Sequence, residues 1–402
     1  MLSFEEALQT VREKLAAANF SIGAETAALA EACGRTLAED VLADRDYPPF
    51  DRSTRDGFAV RAQDVGAVPV ELRLRGEIAA GMHFDGEIAS GECIAIMTGA
   101  PLPAGTDAVV MVEHTESRDD VVKILRGVCA GENVVPKGSE VRQGSRVLGR
   151  GRRLGAADLA LLASMGKPQP AVYARPPVAI LPTGDEVVPV EHTPEWFQVR
   201  NANAVSLAAQ VTSAGGVPRR LPIAPDEPAA LRQLIREGLK SPLLLVTGGV
   251  SAGKYDLVEQ VLAELGAESY FQSVALRPGK PLVFGRAGDS FFFGLPGNPV
   301  STFVTFELFV RPAIAVMGGT DFAAPMFLRA QLAEPIEQRT GLTVFVPASL
   351  GRAGGDLRVN RISWQGSGDL AGLAAANCFV VLYPHQTALT AGDWVDVMVK
   401  GQ

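Results

Sequence analysis

The strongest constraint on the fold is a regular alternation of apolar, strand-like runs and helix-like segments in the middle of the chain. The strand-like runs lie at 178–181, 217–223, 243–247 and 289–294, and a helix-like segment follows each of them. Such alternation is typical of a parallel β-sheet that carries helices on both faces. The sequence therefore predicts a central α/β domain, to which we assign residues 175–322.

The residues before this domain show two kinds of sequence pattern. Apolar residues recur at helical spacing over 3–17, where Ser3 and Glu6 form a capping-box pattern, and a second helix is predicted over 24–40. Farther along, short β-like runs alternate with turn residues, which is typical of a small β domain. We therefore expect an N-terminal helical and linker domain, 1–43 with 144–174, interrupted by an inserted β domain, 44–143.

The C-terminal residues, 323–402, return to short strand-like runs separated by turns. A small β-barrel or β-sandwich fits that pattern. Since 402 residues are too many for one ordinary hydrophobic core, several domains are expected.

The composition excludes several classes of protein. The formal net charge of −8 disfavours nonspecific nucleic-acid binding, and the chain has no apolar stretch approaching the ~18 residues of a membrane span. The N-terminus is acidic where a signal peptide is basic, which favours the cytoplasm. The four cysteines form no CxxC pair, so reduced core thiols are expected rather than a disulfide framework or a zinc site.

Three glycine-punctuated turns carry the strongest functional signal. Two of them, 247–253 and 294–301, link a strand-like run to a helix-like segment, and the third is ArgProGlyLysPro, 277–281. Free N–H groups at such turns suit a phosphate, although each turn could also be an ordinary connection. The candidate ligand-binding residues are Thr247, Gly248, Gly249, Ser251, Gly253, Arg277, Lys280, Pro296, Gly297, Asn298 and Pro299.

Acidic residues follow the strand-like runs of the predicted sheet, at Asp185, Glu186, Asp226 and Asp256. Because ligands of α/β sheets bind at the carboxyl ends of the strands, acids gathered beside a phosphate indicate Mg²⁺ between them. Asp226 and Asp256 are also competent helix caps, which is the alternative for both. In the β domain, Asp56 precedes a glycine and Thr98 ends a strand-like run, and ordinary turn chemistry is the alternative for both.

Together these motifs resemble the molybdopterin molybdenumtransferase family, which comprises the bacterial MoeA proteins and the E domain of gephyrin. The resemblance covers nearly the whole chain. The motifs that carry it lie at 34–40, 49–60, 96–103, 182–187, 247–256, 277–281, 295–301 and 365–370.

The resemblance implies a molybdopterin-binding type of α/β domain, a C-terminal β-barrel and a homodimer whose active cleft is shared between subunits. It implies a cytoplasmic enzyme that inserts molybdenum from molybdate into adenylylated molybdopterin and releases AMP, with Mg²⁺ involved, as the final step of molybdenum cofactor biosynthesis. A molybdopterin adenylyltransferase would be the upstream partner. No nucleic-acid or membrane partner is expected.

The resemblance also implies roles for individual residues. Positions that match functional positions of the family are Asp56, Thr98, Glu186, Asp226, Asp256, Lys280 and Ser367. Asp185, Pro296, Asn298 and Pro299 fall within its pterin-nucleotide motifs, and Glu186, Asp226 and Asp256 are the expected metal ligands. The chain departs from the family pattern at Val135 and Glu140, in a loop that could bind the oxyanion.

Three alternatives stay open at this point. An adenylyltransferase on the related α/β domain would need neither the β insert nor the barrel. A noncatalytic molybdopterin-binding or scaffold protein would share the fold, and an insertase specific for tungstate would share the site.

Overall fold

The computed structural model describes residues 1–18, 20, 23–249 and 257–400, and the chain divides into two compact units. The larger unit comprises Met1–Thr26, Gly34–Ala38 and Ala171–Gln402, and the smaller unit comprises Ala27–Cys33 and Glu39–Pro170. The four-domain division of the sequence analysis stays a prediction.

The helix predicted over 3–17 is present among the helices of the described residues. These helices are α1 (Phe4–Ala17), α2 (Ala156–Ser164), α3 (Ala202–Ser213), α4 (Pro228–Gly238), α5 (Leu257–Glu264), α6 (Pro299–Thr305), α7 (Arg311–Met317) and α8 (Leu370–Ala375). Ser3 and Glu6 form the predicted capping box at the start of α1. A π-helical turn, Phe306–Val310, joins α6 to α7, and short 3₁₀ turns lie at Leu29–Glu31, Ala62–Val65 and Val112–His114.

The strands of the first half of the chain are β1 (Ala24–Thr26), β2 (Val41–Leu42), β3 (Arg52–Ser53), β4 (Gly57–Val60), β5 (Val70–Ile78), β6 (Glu92–Ile96), β7 (Ala108–Met111), β8 (Thr115–Arg118), β9 (Val121–Ile124), β10 (Val134–Val135), β11 (Arg146–Leu148), β12 (Ala171–Tyr173), β13 (Pro177–Pro182), β14 (Val187–Val188) and β15 (Val199–Arg200). Those of the second half are β16 (Val217–Arg220), β17 (Leu243–Thr247), β18 (Glu268–Ser273), β19 (Leu276–Arg277), β20 (Pro281–Ala287), β21 (Ser290–Leu295), β22 (Leu328–Leu332), β23 (Ile336–Glu337), β24 (Thr343–Ala353), β25 (Asp356–Arg361), β26 (Cys378–Leu382), β27 (Ala388–Leu389) and β28 (Trp394–Val399).

The larger unit is built around the predicted α/β sheet, whose strand order is β16-β13-β17-β21-β20-β18. β16, β13, β17 and β21 are parallel, whereas β20 runs antiparallel to both of its neighbours. The first strand of the sheet, β13, lies between the second and the third. The chain therefore passes from β13 to β16 on one side and then crosses to β17 on the other side. This reversal makes the gap between β13 and β17 a topological switch point.

Successive residues of the buried strands pack on opposite faces of this sheet, as the period of two requires. On one face Leu243 and Leu245 pack in a core that includes residues of α1, α3, α6 and α7. On the other face Leu244 and Val246 pack against residues of α4 and α5. The sheet is thus the middle of three layers, and both faces are closed to water except at the strand ends.

The C-terminal strands form the predicted barrel rather than a sandwich. β24, β25, β22, β28 and β26 pair in that order, and β26 pairs again with β24, so the five strands close on themselves. The interior is filled by aliphatic side chains such as Val346, Val380 and Val397. Phe345 and Phe379 alternate with these residues and instead join the core of the α/β sheet. The barrel is therefore packed against the layer that contains α1 and α6.

The smaller unit contains a six-stranded sheet with the order β7-β4-β6-β5-β9-β8. β4 lies between β7 and β6 and is buried along its whole length. The inserted segment is thus a β structure, as the sequence predicts. β4 begins directly after Asp56, and β6 ends two residues before Thr98.

Some sequence predictions are wrong. Residues 24–40 form no helix: β1 pairs with β12, a 3₁₀ turn follows, and Gly34 has a φ of +74° that ends any helical run. Only Cys93 and Cys378 are buried, whereas Cys33 and Cys129 are exposed. The helical segment Pro299–Met317 is long and apolar enough to cross a membrane, but 78% of its apolar window is buried, as in the core helix of a folded domain.

Candidate functional site

The carboxyl ends of three parallel strands meet at one edge of the α/β sheet. Pro182 of β13 is in register with Thr247 of β17, and Thr247 is in register with Leu295 of β21. Thr183 continues this edge, because its N–H donates to the Thr247 carbonyl at 3.0 Å. Since the strands are parallel, the turns that follow them open on the same side.

A cleft of about 560 Å³ lies at this edge, and we call it the strand-end cleft. It contains the switch point between β13 and β17, where ligands of open α/β sheets bind. Six of the predicted site residues line it: Glu186, Thr247, Gly248, Gly297, Asn298 and Pro299. It is also lined by Thr183, Asn203 and Gly368, which the sequence analysis did not select.

The first glycine of the turn after β17 is required by close packing. Gly248 has a φ of +93°, and a Cβ there would stand 2.6 Å from the Thr183 carbonyl oxygen. Gly249 has a φ of +63° and is similarly close to the Thr183 side chain, at 3.0 Å. These glycines leave the floor of the cleft as bare backbone, which is the arrangement that admits a phosphate close to the main chain. Ser251, Gly253 and Asp256 lie outside the described residues.

A second cleft, of about 510 Å³, adjoins the first, and we call it the basic cleft. It shares the lining residues Asn298 and Gly368 with the strand-end cleft, so the two clefts adjoin, and we call them together the depression. The predicted residues that line it are Arg277, Lys280, Pro296, Asn298 and Ser367. Arg277 and Lys280 are exposed, and neither forms an ion pair with an acid of the described residues. Two unneutralised cations therefore face the same depression as the strand ends.

Different elements of the larger unit position the groups of the basic cleft. Arg277 lies on β19, which pairs with the barrel strand β24, and Lys280 follows Gly279, whose φ is +109°. A Cβ at Gly279 would meet Thr305 Cγ2 at 2.6 Å, so the turn needs glycine. Ser367 is held at the start of α6, because its carbonyl accepts from Val300 N at 3.0 Å. The barrel end of the chain thus supplies one wall of the depression.

Asp369 fixes the loop that carries Ser367. Its carboxylate accepts from Gly372 N at 2.8 Å and from Gln365 N at 2.9 Å. These backbone hydrogen bonds hold the pKa of Asp369 below its ordinary value. The loop therefore carries a fixed negative charge on the residue that anchors it, while the serine remains in the cleft wall.

Asn298 occupies the N-cap position of α6 and Pro299 its first turn, as predicted. The Asn298 side chain makes no capping hydrogen bond within the described part of the protein, and it lines both clefts. Asn298 thus begins the helix without using its side-chain amide, and the polar atoms of that amide are available to a ligand.

The acids Asp185, Glu186 and Asp226 lie after the ends of β13 and β16, and of these three only Glu186 lines the strand-end cleft. Asp185 Oδ1 accepts from Asp226 N at 3.0 Å, and this contact links the ends of β13 and β16. The pKa of Asp226 is raised above its ordinary value, first by partial burial and then by the negative charges of Asp185 and Glu186. The expected helix cap is wrong for Asp226, because the N-cap of α4 is Glu227.

Among the described residues, no group of three or more His, Cys, Asp or Glu side chains is close enough to hold a metal ion. The predicted set of Glu186, Asp226 and Asp256 therefore has no complete counterpart in 1–249 and 257–400. Two carboxylates would suffice only if a ligand supplied further oxygens, as phosphates do for Mg²⁺.

The smaller unit holds the other two predicted residues. Asp56 accepts from both the N–H and the hydroxyl of Thr98, each at 2.7 Å. These two hydrogen bonds lower the pKa of Asp56, so the carboxylate is ionised at neutral pH. In the nearby loop, Glu140 pairs with Arg52 at 2.8 Å, so its charge is matched within the protein.

Two polar residues of the strand-end cleft escaped the sequence analysis. Asn203 Nδ2 donates to Thr247 Oγ1 at 3.0 Å and to the Gly297 carbonyl at 2.7 Å, so it joins the turns after β17 and β21. Thr183 is 2% exposed, and its hydroxyl has no hydrogen-bond partner among the described residues. Thr183 follows a strand and Asn203 lies at the start of a helix, and both positions could have been recognised from the sequence. The contacts of the two side chains could not.

Fold and site together define a multidomain α/β protein with a cleft at its sheet edge whose lining suits a phosphate-bearing ligand. Residues 2–166 match the profile of the MoeA N-terminal region (domain I and II), 179–316 that of a probable molybdopterin binding domain, and 329–400 that of the MoeA C-terminal region (domain IV). The chain belongs to the MoeA family, and this confirms the family resemblance and the predicted fold class.

Relatives match along nearly the whole chain. Proteins named molybdopterin molybdenumtransferase are 36% identical in Nostoc sp. over 91% of this chain and 86% of the relative, and 34% identical in Bacillus subtilis over 93% and 89%. The crystal structure of the moeA protein of molybdopterin biosynthesis from Pyrococcus horikoshii OT3 superposes with a TM-score of 0.85 at 29% identity, over 99% of this chain and 100% of that one.

Proposed function

We propose that this chain is a molybdopterin molybdenumtransferase, which takes adenylyl-molybdopterin and molybdate, inserts molybdenum into molybdopterin and releases AMP. The observation that carries this proposal is that the strand-end cleft and the basic cleft adjoin at Asn298 and Gly368. One depression thus offers bare backbone at strand ends and two unneutralised cations. Both features suit the phosphoanhydride that joins the pterin to AMP.

The residues of the depression have separate tasks in this reaction. Cleavage of a phosphoanhydride builds negative charge on its oxygens, and fixed cations and N–H donors lower the barrier by stabilising that charge. Lys280 and Arg277 would neutralise the phosphate oxygens, while the turn at Gly248 would bind them through the main chain. Ser367 and Asn298 would hydrogen-bond and orient the ligand between them.

Mg²⁺ belongs to this proposal as well. Asp226 and Glu186 are the described residues that would hold it, with phosphate oxygens as further ligands, and Asp256 is the third residue implied by the family motif. The mutual repulsion that raises the pKa of Asp226 is what a bound cation would relieve. When bound, the ion supplies charge neutralisation at the phosphates. AMP release should accordingly fall in the presence of EDTA and recover with added Mg²⁺.

We further propose a homodimer with a composite active site. The proposal is supported by the division of the family-matched residues, since Asp56 and Thr98 belong to the smaller unit and Lys280 and Ser367 to the larger one. If the two sets come from different subunits, mixing Asp56→Ala with Lys280→Ala protein restores AMP release to about a quarter of wild type, because half of the randomly formed dimers carry one intact site. No recovery on mixing, with dimers confirmed by sedimentation, would contradict a shared site.

A molybdopterin adenylyltransferase would supply the adenylylated substrate, and the cytoplasm would be the location. The net charge of −8 favours neither nucleic acid nor an anionic membrane surface as a partner.

Molybdate-dependent AMP release from adenylyl-molybdopterin by the full-length protein tests the function. We expect release by wild type and a loss of about 10²-fold in kcat for Lys280→Ala, which removes a charge from the basic cleft. Lys240→Ala is the matched control, because Lys240 pairs with Glu237 and lies outside the residues that line either cleft. Ligand binding without molybdate-dependent AMP release would favour a scaffold, and release with tungstate alone would indicate a tungstate insertase.

A further inference from the structure

The hydroxyl of Thr183 is buried without a partner at the point where a ligand should bind. The residue is 2% exposed, and Oγ1 has no hydrogen bond within the part of the chain that the structure describes. Burying a hydroxyl without a hydrogen bond is unfavourable, and valine would fill the same space without that cost. Within the described residues, no contact of the fold accounts for a polar side chain at this position.

The main chain of Thr183 is paired on both sides, which holds the residue at the strand ends. Its N–H donates to the Thr247 carbonyl at 3.0 Å, and the residue forms a parallel bridge with Ala224 of the neighbouring strand end. Thr183 is thus held between the ends of β16, β13 and β17, directly at the switch point of the sheet.

The side of Thr183 that faces the glycine turn is kept open by the absence of side chains. Cβ atoms at Gly248 and Gly249 would each lie 3.0 Å from Thr183 Oγ1, closer than ordinary van der Waals contact. Thr183 and Gly248 both line the strand-end cleft. The two glycines therefore place no side chain of their own beside the hydroxyl, on the side from which a ligand atom would approach.

We propose that Thr183 is a ligand-binding residue, whose hydroxyl donates a hydrogen bond to a phosphate oxygen of the bound adenylyl-molybdopterin. A phosphate oxygen only accepts, and the Thr183 hydroxyl, which has no acceptor among the described residues, has its proton free to donate. The identity of the ligand rests on the proposed function, whereas the contact with a phosphate does not depend on it. ADP and inorganic pyrophosphate carry the same group and serve as probes without the pterin.

Three variants of the full-length chain test this assignment by calorimetric binding of ADP and pyrophosphate and by thermal unfolding. Thr183→Val keeps the shape and removes the hydroxyl, so we expect an unchanged or higher melting temperature together with about tenfold weaker binding. Thr183→Ser keeps the donor and should retain binding within about twofold. Thr305→Val is the control, because Thr305 is equally buried but its hydroxyl donates to the Ser301 carbonyl at 2.8 Å. It should bind both probes as wild type does.

The outcomes separate this inference from the function on which it builds. Wild-type affinity in Thr183→Val, or a clear loss of stability in that variant, would overturn the assignment, since the hydroxyl would then be idle or structurally paired. Weaker probe binding by Thr183→Val in a protein that releases no AMP with molybdate would uphold the phosphate contact and reject the transferase. Absence of ADP and pyrophosphate binding by the wild type would contradict the inference as well.

Discussion

The amide of Asn203 joins two of the glycine turns, and its removal tests whether those turns act as one binding site. Nδ2 donates to Thr247 Oγ1 at 3.0 Å and to the Gly297 carbonyl at 2.7 Å. A hydrogen bond of this kind contributes about 0.5–1.5 kcal/mol net, so the pair contributes about 1–3 kcal/mol. Because Asn203 is only partly buried, we expect Asn203→Ala to lose stability in the lower half of that range.

The effect on ligand binding should exceed what stability alone explains. Once the turns after β17 and β21 move independently, their N–H groups no longer converge on one phosphate. We expect the KM for adenylyl-molybdopterin to rise about tenfold, equivalent to about 1.4 kcal/mol. Asn203→Asp should behave alike, since it replaces the donor with an acceptor that faces the Gly297 carbonyl. The assay is AMP release at varied substrate concentration, with melting temperatures measured on the same preparations.

Asn377→Ala is the matched control for this experiment. The Asn377 side chain also makes two hydrogen bonds: it donates to the carbonyl of Leu350 at 3.0 Å and accepts from the Leu350 N–H at 2.7 Å, and it lies outside the lining of both clefts. We expect a comparable loss of melting temperature and an unchanged KM. If Asn203→Ala keeps the wild-type KM and kcat while its melting temperature falls, the reasoning is refuted, because the contacts would then serve the fold alone.

Three further predictions concern single groups. The pKa of Asp226 is raised in the folded protein, so its protonated carboxyl contributes fully to stability below about pH 3.9, and this contribution is lost as the pH rises through the pKa of the folded state. Asp226→Asn should therefore raise the melting temperature at pH 8 but not at pH 3.5. Equal gains at both pH values would exclude this cause. Thr98→Val removes one hydrogen bond to Asp56, so carboxyl NMR titration should find the pKa of Asp56 closer to its ordinary value, and an unmoved pKa would show that the hydroxyl is not a donor to it. Gly57→Ala would bring a Cβ to 1.9 Å from a backbone carbonyl of β7 and should lower the free energy of unfolding by about 1–3 kcal/mol. The control is Gly351→Ala, whose Cβ meets nothing within 4 Å and which should be near neutral. Similar unfolding curves for the two variants would disprove the clash.

Much of the fold followed from local pattern, and the failures have identifiable causes. Helix α1 was predictable because Ser3 and Glu6 cap it and its apolar residues share one face. The helix expected over 24–40 was wrong because β1 finds a distant partner in β12, and pairing across about 150 residues leaves no trace in local periodicity. The antiparallel direction of β20 was likewise invisible, since an apolar run does not encode which way a strand points.

The candidate site was predictable in position more than in contacts. The turns after β17 and β21 were recognisable because glycine and proline mark them, and the carboxyl edge of a parallel sheet brings them together. Asp226 was a poor guess as a helix cap because Pro228 lets the helix begin one residue later than expected. Thr183 and Asn203 were missed because an unpaired buried hydroxyl and a bridging amide exist only once the strands are assembled.

The central claim is that one phosphate-bearing ligand spans the strand-end cleft and the basic cleft. A crystal structure of the full chain with adenylyl-molybdopterin, prepared without molybdate, tests it most directly. We predict that the pyrophosphate lies between Gly248 and Lys280, with an oxygen about 3 Å from the Asn298 side chain. A pyrophosphate bound away from these residues, with both clefts filled only by water, would contradict the account.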